Sequence, residues 1–90
     1  MKISEVRVKT VDGKKGKLKG WASITFDGEF VVHNLKIIEG QKGVFVAMPN
    51  RKTKDGEYRD TAHPLNNEMR KNIERAVIEE YNNKIAAEQK

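Results

Sequence analysis

The chain contains no cysteine. Disulfides and cysteine-ligated zinc therefore play no part in its stability, and a reducing compartment suits it. Proline is almost as scarce, and the only two, Pro49 and Pro64, bracket a single segment. No apolar run approaches the roughly 20 residues that a membrane-spanning helix needs. The opening Met1-Lys2-Ile3-Ser4-Glu5-Val6-Arg7 has no hydrophobic signal core. Repeats, linkers and low-complexity tracts are missing as well. These absences lead to the expectation of a soluble cytoplasmic protein with no membrane attachment. Its 90 residues form one domain, 1–90. A domain of that size has a thin core, which pairing with a second copy would help complete.

What is abundant is charge. Eighteen Lys and Arg stand against thirteen Asp and Glu, a net charge of +5. The excess sits at the N-terminal end, where seven bases (Lys2, Arg7, Lys9, Lys14, Lys15, Lys17, Lys19) face only Glu5 and Asp12. A basic balance favours polyanionic partners, nucleic acid first, although it bears on association and not on fold.

Alternation with a period of two marks the first strands. Val6 and Val8 fall on one side of the segment 3–10, with Glu5, Arg7 and Lys9 on the other. Over 17–26, Leu18, Gly20, Ala22, Ile24 and Phe26 alternate with Lys17, Lys19, Trp21, Ser23 and Thr25. The two segments read as a hairpin with Lys14 and Lys15 at its tip. Asp27-Gly28 is a strong hairpin dipeptide and introduces a third strand over 29–39. The apolar parity of that strand slips between Val32 and Leu35, predicting a bulge near His33 and Asn34. Val44 to Met48 is apolar on both faces, as expected of a strand central in its sheet or covered by a partner. From Asn66 or Asn67, either a suitable N-cap, the period changes: Met69, Ile73, Val77, Tyr81 and Ile85 form one helical stripe. The helix either frays near Asn82-Asn83 or continues to about Glu88. The predicted class is α+β, an antiparallel sheet of four to five strands with one C-terminal helix packed on a face.

The segment between the prolines carries Arg51, Lys52, Lys54 and Arg59 around an Asp55-Gly56 turn signal. As a basic loop between a strand and a helix it offers several cationic donors to a polyanion. The plain alternative is a solvated loop whose bases pair locally with Asp55, Glu57 and Asp60. A second basic patch places Arg7, Lys9, Lys17 and Lys19 on the outer face of the first hairpin, with Trp21 on that same face and Lys14 and Lys15 at the tip. Basic residues interleaved with an aromatic suit single strands. A lone Trp on a small sheet is more often structural, buried under the helix or in a dimer contact. Tyr58 is likewise expected at the edge of the core. His33 and His63 make a poor metal pair at their spacing. Asp55, Glu57, Asp60 and His63 lack the nucleophile or phosphate loop of a hydrolase. No enzyme, metal or cofactor is implied.

Two stretches, Ala22 to Gly40 and Gly43-Val-Phe-Val-Ala-Met-Pro-Asn-Arg-Lys-Thr-Lys-Asp-Gly-Glu-Tyr-Arg-Asp-Thr-Ala-His-Pro-Leu-Asn66, resemble the stage V sporulation protein G (SpoVG) family of bacteria. The resemblance covers about residue 3 to Tyr81. Its most specific feature is the pairing of Phe45-Val-Ala-Met-Pro49 with His63-Pro64 around the basic Asp-Gly-Glu segment. It implies a small dimeric cytoplasmic protein that binds DNA and RNA and regulates gene expression. It also implies nucleic-acid contacts in the bases after Met48-Pro49, here Arg51, Lys52 and Lys54, to which Arg59 is added on proximity. Lys54 stands where such proteins commonly carry proline, and Tyr58 where they carry phenylalanine. The competing expectation is a dimeric interaction module that binds partner proteins without touching nucleic acid.

Overall fold

The computed structural model describes residues 2–11 and 16–88. Four strands, β1 (Ile3–Thr10), β2 (Leu18–Phe26), β3 (Phe30–Gly40) and β4 (Gly43–Ala47), form an antiparallel sheet in that order. Two short strands, β5 (Asn50–Lys52) and β6 (Tyr58–Asp60), pair as a separate ribbon, and α1 (Asn67–Glu88) closes the chain. The class is therefore α+β, with the single helix packed against one face of the sheet.

Local chemistry accounts for the turns. Asp27 and Gly28 both take positive φ, 54° and 66°, the left-handed pair of a type I′ turn. Glu29 N closes the turn by donating to Phe26 O at 2.9 Å. Since Phe26 pairs with Phe30, Glu29 completes a three-residue connection. The neighbouring strand ties this turn down: Lys2 N donates to Asp27 Oδ1 at 3.1 Å and Gly28 N donates to Ser4 Oγ at 2.8 Å. The tip of the first hairpin, with Lys14 and Lys15, lies outside the described residues.

A register shift leaves Ser4 of β1 extra against β2, and two bulges between β2 and β3 set which side chains share a face. Ala22 pairs with Leu35 but Ile24 pairs with Val32, so His33 and Asn34 together oppose one residue, Ser23. Asn34 is left-handed at φ 68°. This is the slip predicted from the apolar parity, and it returns Leu35 and Ile37 to the core. The second bulge gave no signal in the sequence. Gly20 pairs with Ile37 and Leu18 with Ile38, leaving Lys19 as the extra residue. Leu18 consequently shares a face with Ile38 and not with Gly20, a correction to simple alternation.

For β4 the structure corrects one of the two expectations, the central position. The strand pairs with β3 alone and is an edge strand, not a central one. Val46 points into the core, whereas Phe45 on the opposite face stays 43% exposed.

The core lies between the sheet and α1. Val8, Ala22, Ile24, Phe26, Leu35, Ile37, Val46 and Met48 meet Ile73, Val77 and Tyr81. Ile24, Leu35, Ile37 and Val77 are fully buried, each worth about 1.5–3 kcal/mol of burial. The helix begins after Asn66, whose Oδ1 accepts from Met69 N at 2.7 Å. That is an N-cap bond to the third helical residue, and losing such a side chain costs about 1 kcal/mol. The apolar stripe persists through Tyr81 to Ile85, and the helix runs to Glu88 without ending at Asn82-Asn83.

Candidate nucleic-acid interface

The segment between the prolines is a hairpin and not the loop expected from its composition. Asn50 pairs with Asp60, Arg51 with Arg59 and Lys52 with Tyr58. At the base, Pro49 O accepts from Thr61 N at 2.7 Å and from Thr61 Oγ1 at 3.1 Å. Pro49 thus needs no N–H of its own to open the ribbon, and it is buried there. At the tip, Thr53 N donates to Glu57 O at 2.7 Å and Gly56 N donates to Thr53 O at 3.0 Å. Gly56 takes φ +85°. This is a three-residue loop built on a type I turn with a left-handed glycine closing it. Three-residue strands are too short to betray a period of two, so the sequence shows the turn and not the ribbon.

The register places the bases. Arg51 and Arg59 stand directly opposite each other on one face of the ribbon. Lys52 shares the other face with Tyr58, and Lys54 is the first residue of the loop at the tip. All four bases are exposed. Among the described residues none of them forms an ion pair, and the two pairs present there are Arg7–Glu5 at 3.1 Å and Lys19–Glu39 at 3.0 Å. Asp55, Glu57 and Asp60 of the same hairpin are not within ion-pair distance of these bases. Like charges directly opposite across a ladder oppose its formation. Neither guanidinium has a carboxylate within ion-pair distance among the described residues. Tyr58, expected at the core edge, is 69% exposed.

The second patch divides. Lys17 is exposed, whereas Lys19 is half-buried and held by Glu39. Trp21 does not lie under the helix. It projects from the opposite face of the sheet, 37% exposed, between Lys9 of β1 and Lys36 of β3, its partners in register. The Lys36 Nζ sits 5.7 Å from the centroid of the Trp21 ring, within cation–π range. Sequence reasoning passed over Lys36 because only the register shows which residue of β3 lies opposite Trp21.

His33 lies in β3, and His63 in the connection between β6 and α1. No group of three or more potential metal ligands occurs among the described residues. His63 Nδ1 lies 3.1 Å from Pro64 O, which suits its reading as a turn residue. No helix among the described residues is long and apolar enough to cross a membrane.

A helix-backed antiparallel sheet that extends an exposed basic ribbon defines a small α+β protein. A family model described as SpoVG matches residues 1–83, and the chain belongs to the SpoVG family. It is 51% identical over 88 residues to the "Putative septation protein SpoVG" of Clostridium beijerinckii, covering 98% of this chain and 96% of that one. It is 53% identical over 85 residues to the protein of the same name from Agathobacter rectalis, covering 94% of this chain and 97% of that one.

Proposed function

We propose that this protein is a cytoplasmic nucleic-acid-binding regulator of gene expression that holds phosphates on the β5–β6 ribbon. The observation carrying this reading is the facing pair Arg51 and Arg59, exposed and without a carboxylate partner among the described residues. An arrangement that costs free energy in the isolated chain becomes favourable when an anion sits between the two guanidinium groups. Lys52 and Lys54 extend the cationic track along the other face and the tip. Membership of the SpoVG family supports a regulatory role, and the relatives' names point to septation as a process in which such a role is exercised.

The reading includes a homodimer. The β4 edge, Gly43-Val-Phe-Val-Ala47, has no charged side chain to discourage pairing with another strand, whereas the β1 edge carries Glu5, Arg7 and Lys9. Antiparallel pairing of β4 with its copy about a two-fold axis joins the sheets and presents two ribbons to one polymer.

The test is salt-dependent binding. Affinity for mixed DNA and RNA falls linearly on a log–log plot as salt rises. For each chain that engages, removing Arg51 and Lys52 as Ala flattens the slope by about 1.8 on duplex or about 1.4 on single strands. The loss is the same for every sequence. A double variant with unchanged melting, affinity and slope removes the ribbon from the binding site and favours the interaction-module reading.

A further inference from the structure

The face of the sheet turned away from α1 carries a second feature that the ribbon does not explain. Nothing among the described residues packs on it. Its middle row reads Lys9, Trp21, Lys36 and Ala47 across all four strands. The next row places Ile38 and Phe45 beside each other. Trp21 and Phe45, both large and apolar, remain 37% and 43% exposed. The Phe45 ring lies close over Gly40, where an added Cβ would come within 3.0 Å of Phe45 Cε1. A shallow depression of about 670 Å³ beside Trp21 is lined by Arg7, Lys9, Ser23, His33 and Asn34, but also by Glu80 and Lys84 of α1, so it reaches the helix side and is not confined to this face.

We propose that this open face is a binding surface for unpaired nucleic acid, with Trp21 as the ring on which a base stacks. Single-strand binding surfaces combine exposed aromatic rings with basic side chains that follow the backbone, and this face supplies both. Lys36 already rests against the Trp21 ring and Lys9 stands on its other side in register. Rotation of the Lys36 side chain frees the ring for a base and leaves the ammonium within reach of the adjoining phosphate. From strand and residue spacings, Phe45 lies about 12 Å from Trp21, two strands across and two residues along. It therefore belongs with a base further along the strand and not with the one on Trp21. Duplex offers no free base face, so the surface discriminates unpaired from paired polymer. The ribbon, which grips phosphate, does not.

The inference shares the ligand class of the proposed function but uses different residues, so the two fail separately. Trp21 is the only tryptophan, and its emission reports on this face directly. The probe is an oligothymidylate, compared with the same strand paired to oligoadenylate. Binding is followed both by Trp21 fluorescence and by anisotropy of a label on the nucleic acid. Single strand is expected to quench Trp21 as anisotropy saturates, and duplex to bind without quenching. Trp21→Leu is expected to weaken single-strand binding about 5- to 150-fold, the range that stacking of one base supports, with duplex affinity unchanged. Trp21→Phe keeps most of the single-strand affinity and guards against a folding defect. Quenching that survives in the Arg51→Ala, Lys52→Ala variant upholds this face even if the ribbon reading falls. Unchanged Trp21 emission at saturating single strand overturns the inference. So does equal loss of single-strand and duplex binding in Trp21→Leu, or an emission change that follows protein concentration without oligonucleotide. Absence of all nucleic-acid binding overturns both readings.

Discussion

Replacing Arg59 with threonine should make the ribbon more stable and its binding weaker, and the opposite signs are the point. Arg59 faces Arg51 across the β5–β6 pair. With the guanidinium groups splayed to about 7 Å in water, their repulsion is about 0.6 kcal/mol before screening. Screening leaves about 0.5 kcal/mol in 10 mM salt and about half that at physiological ionic strength. Threonine also suits a strand at least as well as arginine. Beyond its junction with β4 the ribbon rests mainly on its own pairing, so the gain belongs to local opening and not to global melting. Amide hydrogen exchange reads it. The Thr53 and Gly56 N–H groups, which hold the tip, and the Thr61 N–H at the base should exchange about twofold more slowly at low salt. Raising the salt should erase much of the difference. In the same variant the salt slope of duplex binding should fall by about 0.9 per engaged chain. Faster exchange with unchanged binding would refute the reasoning, because Arg59 would then be supporting the ribbon through its stem and not waiting for an anion.

Lys54 occupies the position of a type I turn that favours proline, and its N–H takes no part in the backbone bonds that close the loop. Lys54→Pro should therefore stabilise the ribbon by about 0.4–1 kcal/mol and slow exchange of the Gly56 N–H. It should also lower the duplex salt slope by about 0.9 per chain if Lys54 meets a phosphate. Light scattering at micromolar concentration should return about twice the chain mass of 10.3 kDa, and a monomer mass counts against the dimer. With pairing through β4, its amides that point away from β3 should exchange slowly in the dimer and quickly on dilution. Rapid exchange in a confirmed dimer would move the contact elsewhere.

Much of the fold was legible in the sequence because its determinants are local. Asp27-Gly28 can turn a hairpin by itself, since the two residues accept the left-handed backbone that the turn demands. The stripe from Met69 to Ile85 and the Asn66 cap depend only on spacings within one helix. Even the bulge at His33 and Asn34 left a trace, because restoring Leu35 and Ile37 to the core shifts the apolar pattern by one. The bases of the candidate site were legible as residue types for the same reason.

Their geometry was not, and the cause is register. Whether Arg51 faces Arg59, whether Trp21 meets Lys36, and whether Leu18 joins Gly20 or Ile38 are questions about which residue of one strand lies opposite which residue of another. A single extra residue reverses the answer, and the bulge at Lys19 disturbs no apolar pattern that would announce it. Position in the sheet is likewise a property of the assembled chain. An apolar strand such as Gly43–Ala47 looks the same at an edge as at the centre, and only the pairing order makes it an edge. Local sequence determined the elements, their turns and the chemistry of the surface. Tertiary pairing alone decided that the arginines confront each other on a ribbon and that the one tryptophan stands on the open face of the sheet.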